Sequence, residues 1–431
     1  MGLYYLWPLD VHSWPADDCQ RTCPCWSLGQ GAGDWYALAR NIFCLRCPAL
    51  NHRAGGFISC SCSGVEALER IMKLTRRKFF YASVGALAGC AKAPERKPDA
   101  GAIQSTLPVI DFHAHLFGLG DGGTGCFVSP KQKRNVNFPF FLRLLRLKEN
   151  GRFDEDYVQR IVGHLRSSSV NRAVLLAQDC RYGDAGKPDT EGTSFYVPND
   201  YVWKVAGRFP DLFIPCISVN PKRRDAIAEL EKWADKGVRV LKIHPPIQCV
   251  DPGESRFRPF YRKCSELGVI VMVHTGTEHS AEICDPYYAA PRRLVTALEE
   301  GCTVVAAHSG MNAFFDKEDF FPELLPLVRR FPNLFCDTAV LGDRFRWRDL
   351  PRLIGTSDVL ERAIYGSDTP FPCNPLVFWN RLRPGKLLAL LSETNLFERN
   401  YQLQRAVGLP PEVFLRGARV LSHAGIRLEK I

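Results

Sequence analysis

The sequence predicts a (β/α)₈ barrel over residues 107–431 of the 431-residue chain, ending in C-terminal helices. Two observations predict it. First, eight short apolar segments alternate with segments of helical periodicity. Second, four of the apolar segments, from the first to the eighth, end in His or Asp. A closed barrel gathers such strand ends at one face, whereas a doubly wound open sheet, the alternative, would not easily bring them together.

The candidate strands are short runs rich in aliphatic residues, as expected of strands buried on both faces. In chain order they are Val109–His113, Ala173–Ala177, Phe213–Val219, Val238–Ile243, Val269–Val273, Thr303–Ala307, Leu334–Thr338 and Ala363–Tyr365. Helical periodicity lies between them, most clearly in Asp225–Lys236, Arg292–Glu300 and Pro322–Arg330. Gly237 follows the first of these helices, where a C-terminal cap is expected.

Two insertions follow the first and second strands, on the face where the chemistry is expected. The first contains a glycine-rich stretch and then residues 138–147, rich in Phe, Leu and Arg. This stretch is consistent with a lid, a subunit interface or an outer helix. The second insertion, Tyr182–Pro198, is expected to form part of a pocket wall. Beyond the eighth strand, Leu387–Leu391 and Phe397–Val407 read as helices.

Composition is that of a soluble globular protein, with 46% hydrophobic and 24% charged residues. The net charge of +10 is spread along the chain and forms no basic stripe interleaved with aromatic residues, so nucleic-acid binding is not indicated. No uncharged apolar run is long enough to span a bilayer. A small-molecule substrate is therefore the expected partner. The sequence is also compatible with a homo-oligomer.

Residues 72–90 have the organisation of an export signal: a basic region, a short apolar region and a small-residue end. Arg76 and Arg77 stand in a segment that resembles the twin-arginine motif of bacterial precursors. The segment ends in Leu-Ala-Gly before Cys90, which resembles a lipobox, so Cys90 is the expected lipidation site. Residues 91–106 read as a polar tether. These features predict a periplasmic lipoprotein that contacts the membrane only through the lipid anchor.

Residues 1–71 precede that signal and carry seven cysteines, including the Cys44-Leu-Arg-Cys47 pair. One interpretation is a small zinc or disulfide module. The other is that native translation starts at Met72, in which case residues 1–71 are expected to have little order. The barrel region holds nine further cysteines with no spacing typical of a disulfide framework, so they are expected to be buried free thiols.

The residues at the strand ends are of metal-ligating types. His113 and His115 are separated by one residue on a strand, so both point to the same face. His274 and Asp368 end later strands and complete a set of four candidate ligands for one divalent metal, with zinc favoured and manganese or iron as alternatives. Asp368 is also the candidate general base, and His308 can stabilise an oxyanion or move a proton.

These motifs resemble those of the amidohydrolase superfamily, in particular its type 2 branch. They are Asp111-Phe-His-Ala-His, Lys242-Ile-His-Pro, His274-Thr-Gly, His308-Ser-Gly and Gly366-Ser-Asp-Thr-Pro-Phe. The resemblance covers about residues 108–425. It implies a metal-dependent barrel with ligands at positions 113, 115, 274 and 368, and with position 308 catalytic or a ligand of a second metal.

The resemblance does not assign a single role to Lys242 and His244 of the fourth strand. Binuclear relatives carry a carboxylated lysine there, but His244 two residues beyond Lys242 makes the segment look like the mononuclear branch. Lys242 is then expected to meet a substrate carboxylate or to be structural, and His244 to line the pocket.

Three functions are compatible with this pattern. The first is hydrolysis of a small amide, cyclic amide or ester through metal-bound hydroxide. The second is non-oxidative, metal-dependent decarboxylation of an aromatic or unsaturated carboxylic acid, which the same branch also contains. The third is a non-catalytic surface lipoprotein, against which the full set of metal-type residues argues.

Overall fold

A computed structural model describes residues 106–135 and 137–428 of the chain. Eight parallel strands form the central sheet in sequential order, and each lies within two residues of its predicted bounds. They are β1 (Ile110–His115), β2 (Arg172–Leu176), β3 (Phe213–Ser218), β4 (Val240–Ile243), β5 (Ile270–His274), β6 (Val304–Ala307), β7 (Leu334–Asp337) and β8 (Ala363–Ile364). The predicted (β/α)₈ barrel is therefore confirmed.

Backbone hydrogen bonds between β1 and the segment that begins at the end of β8 close the barrel. The Phe112 N–H donates to the Tyr365 carbonyl at 2.9 Å, and the His115 N–H donates to the Thr369 carbonyl at 2.7 Å. In return, the Asp368 N–H donates to the His113 carbonyl at 2.9 Å. The backbone groups of predicted site residues therefore make the hydrogen bonds that close the barrel.

Helices separate the strands and follow the barrel. They are α1 (Pro130–Lys133), α2 (Asn137–Leu145), α3 (Phe153–Arg166), α4 (Asn199–Arg208), α5 (Ala226–Asp235), α6 (Pro245–Gln248), α7 (Arg258–Glu266), α8 (Val295–Glu299), α9 (Phe321–Arg330), α10 (Asp349–Ile354), α11 (Ser357–Leu360), α12 (Pro384–Ser392), α13 (Leu396–Val407) and α14 (Pro411–His423). Short 3₁₀ turns occupy Asp121–Gly123, Ser255–Phe257, Pro286–Ala289, Pro291–Leu294, His308–Gly310 and Pro375–Phe378. The helix predicted over Arg292–Glu300 is thus a 3₁₀ turn followed by α8.

The two insertions form small antiparallel pairs over the barrel. Arg181–Tyr182 pairs with Pro188–Asp189, and Phe195–Tyr196 pairs with Phe127–Val128. Residues 138–145 lie within α2. They belong to the stretch 138–147, whose sequence is consistent with a lid, a subunit interface or an outer helix.

The core has two layers because strand side chains alternate between the barrel interior and the surrounding helices. The interior layer consists of Ile110, Phe112, Val174, Leu176, Ile214, Cys216, Val240, Ile270, Met272, Val305, Ala307 and Ile364. Ala418, Val420 and Leu421 of α14 pack against this layer. The outer layer joins the other strand faces to the helices, and Trp233 of α5 is its largest fully buried member.

Two barrel cysteines form a disulfide, so the expectation that all nine are free thiols is wrong for this pair. Cys249 and Cys284 have Cα atoms 5.5 Å apart and are bonded, while the other seven barrel cysteines are free and buried. A separation of 35 residues between loops gives no recognisable spacing. The loops meet because the Cys284 N–H donates to the Pro246 carbonyl at 3.0 Å. Closing a loop of this length stabilises a fold by roughly 3–4 kcal/mol.

Among the described residues, no helix is both long and apolar enough to cross a membrane. The predicted extension (1–71) and signal (72–90), with Arg76, Arg77 and Cys90, lie outside the described residues. So does the tether over 91–106, except for its last residue.

Two glycines with the same φ angle differ in the space around them, and this difference can be measured. Gly276 and Gly237 both have φ of +87°. A Cβ at Gly276 would press against the Met311 carbonyl, whereas a Cβ at Gly237 would meet nothing within 4 Å. We expect Gly237→Ala to lower the free energy of unfolding by about 1–2 kcal/mol through the left-handed φ alone. Gly276→Ala should cost at least about 2 kcal/mol more, because backbone must shift.

Denaturant unfolding of both variants would measure the two costs against the wild-type chain. Equal costs would contradict the close approach between residues 276 and 311.

Candidate active site

The candidate site lies in a cavity of about 430 Å³ at the carboxyl ends of the barrel strands. Strand β1 supplies His113 and His115, β4 supplies Lys242, and β5 ends on His274. His244, His308 and Asp368 follow the ends of β4, β6 and β8. The structure thus brings all the predicted site residues of the barrel into one region, although they span most of its sequence.

A bulge in β1 aims His113 into the barrel. The pairing with β2 shifts register between Asp111 and Ala114, so Phe112 and His113 together stand opposite Val174. Such bulges re-aim side chains and are frequent beside active sites. Asp111 accepts hydrogen bonds from the backbone N–H groups of His113 at 3.0 Å and of Ser367 at 2.9 Å, which fixes this irregular segment.

The hydrogen bonds of His113 define which ring nitrogen is available to a ligand. Its Nδ1 lies 2.8 Å from the Asp337 carboxylate, which can only accept a hydrogen bond when ionised. With Asp337 ionised, Nδ1 carries the proton, and Nε2 directs its lone pair toward Lys242 and Asp368. That Nε2 lies 3.2 Å from Lys242 Nζ and 3.3 Å from Asp368 Oδ1. A carboxylate behind the ring is the arrangement that orients metal-ligating histidines.

The first group of candidate ligands is His113, His115 and Asp368. Asp368 Oδ1 lies 3.1 Å from His115 Nε2 as well as 3.3 Å from His113 Nε2. One ligand atom from each of the three residues lies within 4.8 Å of the others. Two imidazoles and a carboxylate suit a divalent metal of borderline hardness and leave coordination positions open. The residues present therefore fit the predicted metal.

A second group forms around His274, the remaining predicted ligand. Its ring stacks on that of His244 with centroids 4.3 Å apart. The carboxylate of Glu278 lies 2.9 Å from His244 Nε2 and 3.7 Å from His274 Nε2. These three residues also bring one ligand atom each within 4.8 Å of the others. The prediction of one four-ligand centre stays a prediction, since His274 groups with His244 and Glu278 rather than with the first three residues.

His308 lies between the two groups. Its ring centroid is 4.9 Å from that of His113 and 4.7 Å from that of His274. Its Nδ1 lies 3.1 Å from the Ala339 carbonyl oxygen, an acceptor, so Nδ1 carries the proton and Nε2 keeps its lone pair. In its neutral form, His308 is thus prepared to accept a proton rather than to donate one.

His308 and Asp368 both have left-handed backbone, with φ of 61° and 65°. Neither residue type adopts this conformation without cost, and such strain concentrates at functional sites. The Asp337 carboxylate stabilises the left-handed conformation at position 308 by accepting a hydrogen bond from the backbone N–H of His308 at 2.7 Å.

Burial controls the electrostatics of the site. Burial is the largest influence on His113 and His274 and lowers the pKa of both rings well below the ordinary value. Burial alone would raise the pKa of Asp368, but the surrounding His113, His115 and His308 outweigh it and hold this pKa below its usual value. Neutral imidazoles and an ionised carboxylate are the forms that bind a metal.

Lys242 is fully buried at the centre of this region. Burial lowers the pKa of its ammonium, and the nearby Asp337 and Asp368 oppose that effect. Its side chain lines the cavity, where a substrate could reach it. The position is compatible with either predicted role for Lys242, a substrate contact or a structural charge.

The cavity wall is aromatic and basic. Five phenylalanines line it, joined by three arginines and by a segment of the second insertion, as expected for that insertion. The residues are Phe117, Phe138, Phe195, Val197, Phe345 and Phe371, with Arg344, Arg346 and Arg399.

Sequence reasoning assigned no role to three functional candidates. Asp337, behind His113, ends β7 as a polar residue after an apolar run, and the rule used for the other strands could have found it. Glu278 lies in the irregular segment after β5, where no periodicity marks it. Gln178, whose Oε1 lies 3.3 Å from His244 Nδ1, follows β2 without a recognisable motif.

Comparison with known proteins identifies the family. The amidohydrolase family model matches residues 110–377, more than half of the chain. The chain belongs to the amidohydrolase family. As a member of it, the chain is an enzyme, and the matched region contains every candidate ligand described above. No curated protein matches this amidohydrolase.

Solved structures are similar to it at low sequence identity. An uncharacterized TIM-barrel protein from Bordetella bronchiseptica has a TM-score of 0.51 and 18% identity, covering 74% of this chain and 99% of its own. A putative 2-pyrone-4,6-dicarboxylic acid hydrolase from Pseudomonas putida has a TM-score of 0.44 and 20% identity, covering 75% and 99%. A 5-carboxyvanillate decarboxylase from Sphingomonas paucimobilis has a TM-score of 0.46 and 13% identity, covering 74% and 100%.

Replacing Asp337 tests whether its carboxylate sets the tautomer of His113. In Asp337→Asn the single amide oxygen would stay with the backbone N–H groups of His308 and Ala339, so the amide NH₂ would face His113. His113 would then move its proton to Nε2 and lose the lone pair that faces Lys242 and Asp368. We expect metal affinity to fall about 10–100-fold, measured with Mn²⁺ by counting the free ion in electron paramagnetic resonance spectra.

The matched control is Asp179→Asn, another buried carboxylate that accepts hydrogen bonds from backbone N–H groups but contacts none of the candidate ligands. It should leave Mn²⁺ affinity unchanged. A similar loss in both variants would mean that Asp337 acts only through the stability of the fold.

Proposed function

We propose that this amidohydrolase hydrolyses a small amide, cyclic amide or ester, using a divalent metal held by His113, His115, His274 and Asp368. Zinc is the favoured ion, with manganese or iron as alternatives. The observation that carries the proposal is the convergence of two imidazole nitrogens and one carboxylate oxygen within 4.8 Å at the end of a buried barrel. The Asp337 carboxylate supports it by keeping His113 in the tautomer that can ligate.

The bound metal would supply Lewis acidity and lower the pKa of water toward neutrality. The protein's own groups move the protons. Asp368 can accept the proton that water loses as it attacks the substrate carbonyl, because its carboxylate is held ionised. His308, with its Nε2 lone pair in the cavity, can take that proton onward and return it to the leaving nitrogen or oxygen.

The remainder of the pocket binds and orients the substrate. Aromatic side chains cover an apolar portion and exclude water, which strengthens the charge interactions at the metal end. Lys242, His244 and Arg346 offer polar contacts along the cavity. In this proposal Lys242 meets a carboxylate or carbonyl oxygen of the substrate.

Decarboxylation of an aromatic or unsaturated carboxylic acid is the second candidate, and the wall of the cavity favours it. Five phenylalanines suit a planar ring, and Lys242, Arg344 and Arg346 suit its carboxylate. The same metal and the same His308 would serve, with the proton delivered to carbon after CO₂ leaves.

Isotope labelling distinguishes the two reactions. With substrate candidates turned over in H₂¹⁸O, hydrolysis places one ¹⁸O in the product acid, whereas decarboxylation releases CO₂ and leaves the product without new oxygen. In either case we expect removal of the metal to abolish turnover, and Asp368→Asn to lower kcat at least about 10²-fold with metal restored, because the proton acceptor is lost.

Turnover that survives metal removal would contradict the proposed mechanism. Full turnover by Asp368→Asn with the metal bound would remove Asp368 from the role of base.

We further propose that the chain is exported by the twin-arginine route and anchored by a lipid at Cys90. The Cys249–Cys284 disulfide supports export, because disulfides persist in oxidising compartments and are rare in the cytoplasm. Replacing Arg76 and Arg77 together by Lys should retain the protein in the cytoplasm, as followed by cell fractionation.

Cys90→Ser should leave export intact but release the protein from the membrane fraction. Unchanged fractionation of both variants would contradict the proposed route and anchor.

A further inference from the structure

An exposed apolar surface lies on the segment that follows the last barrel strand. The 3₁₀ turn Pro375–Phe378 packs against α12 (Pro384–Ser392), and this part of the chain carries four large apolar side chains that face outward. They are Leu376, Trp379, Leu388 and Leu391, with Trp379 64% and Leu388 68% exposed. We call these four residues the outer apolar surface. Neighbouring exposed apolar side chains on a folded domain mark a place where a partner binds.

The core fixes the backbone beneath the outer apolar surface. Phe378, Leu382 and Leu390, which stand between the exposed residues in the sequence, are buried in the main core. Leu388 and Leu391 are three residues apart, so they share one side of α12. The exposed side chains therefore stand on a fixed support and cannot turn inward without displacing buried residues.

The same segment is basic and has no acidic residue. Residues 369–392 contain Arg381, Arg383 and Lys386 and no Asp or Glu. Lys386 donates to a neighbouring side-chain amide at 2.6 Å. Arg381 and Arg383 are exposed, and within the described part of the chain neither forms an ion pair. Elsewhere exposed arginines pair with carboxylates, as Arg208 does. The segment therefore suits an anionic partner.

A second copy of this chain fits such a surface poorly. In a twofold dimer the same surface meets itself, so Arg381 and Arg383 would approach the same arginines of the other copy. Residues 369–392 offer no carboxylate that would offset this repulsion. An anionic lipid bilayer has no such conflict, because apolar side chains enter the acyl region while arginines meet phosphates. Tryptophan, such as Trp379, is enriched at this boundary.

The lipid anchor proposed at Cys90 places a membrane within reach. Residues 91–105, fifteen in number, separate Cys90 from the first described residue, Thr106. A stretch of this length spans at most roughly 50 Å, comparable with the diameter of a domain of about 320 residues. Once the chain is anchored, contact between its surface and the bilayer is intramolecular, so a weakly binding surface is sufficient.

We propose that the outer apolar surface, together with Arg381 and Arg383, docks the barrel onto an anionic lipid bilayer. The apolar side chains lie between headgroups and acyl chains, and the two arginines bind lipid phosphates. Asn374 begins the turn Pro375–Phe378 and also lines the active-site cavity, so docking holds one side of the cavity near the bilayer. The proposal rests on the lipid anchor proposed above, which supplies the membrane.

The test observes Trp379 directly, in the full chain with Cys90→Ser so that no lipid is attached. This chain is mixed with excess vesicles of equal parts phosphatidylglycerol and phosphatidylcholine, whose acyl chains carry bromine as a quencher. The contribution of Trp379 is the fluorescence of this chain minus that of its Trp379→Phe variant. An interfacial side chain lies about 5–10 Å deep, in contact with the bromine, so we expect most of the Trp379 emission to be lost.

The role of the arginines is tested by affinity. Arg381→Gln/Arg383→Gln should weaken binding to the anionic vesicles about 10–30-fold, measured by co-sedimentation. Binding to vesicles of phosphatidylcholine alone should be similar with and without the two arginines, because no anionic headgroup is present.

The matched control is Lys204→Gln/Lys236→Gln, which removes the same charge beside another exposed tryptophan, Trp203. This variant should keep nearly the affinity of the parent chain. The emission of Trp203, obtained in the same way from Trp203→Phe, should not be quenched.

Several results would overturn the proposal. They are the absence of binding, Trp379 emission that bound vesicles do not quench, and equal losses of affinity in the arginine and lysine variants. A dimer in solution that Leu388→Asp dissociates would assign the surface to a second copy instead.

The anchor and the surface can fail separately. Cell fractionation of Cys90→Ser tests the anchor, whereas the vesicle measurement does not depend on lipid at Cys90. The surface alone is expected to bind reversibly, so release of Cys90→Ser from the membrane fraction agrees with docking.

Discussion

The candidate site depends on the hydrogen bonds that close the barrel between its first strand and the end of its last. His115 and Asp368 are 253 positions apart in the sequence, and their side chains meet only because Asp368 and Thr369 pair with the backbone of β1. The closing contacts and the ligand contacts therefore share the same residues. Separating β1 from the end of β8 would also separate the ligands. The free energy that brings the ligands together therefore comes from the folding of the barrel.

A second constraint is the repeated way in which histidines are oriented. His113, His244 and His308 each place Nδ1 against a protein oxygen, from Asp337, Gln178 and Ala339 respectively. In its neutral form each ring therefore keeps a lone pair on Nε2. The three acceptors come from different elements, so the pattern is a property of the assembled barrel and not of any one motif. It makes the cavity rich in lone pairs and poor in donors, which is the environment of a cation.

The sequence was sufficient for the barrel and for the residues at its strand ends, because buried parallel strands have an apolar signature and their polar ends stand out. It was insufficient where placement depends on irregular backbone or on partners distant in sequence. The bulge at His113 has no sequence signal, and Glu278 and Gln178 enter the cavity from segments without periodicity. The Cys249–Cys284 pair was missed for the same reason, since two loops meet only in the folded chain.

The left-handed backbone at His308 and Asp368 limits how this site can change during evolution. Only glycine adopts such a conformation freely, asparagine and aspartate tolerate it, and β-branched residues are strongly disfavoured. Few single substitutions at these two positions would therefore change the chemistry and still fit the backbone. Variation in substrate range is easier in the aromatic wall, where Phe195 and Phe345 are free of that backbone restriction. Descendants of this enzyme should thus diversify in what they bind before they diversify in how they react.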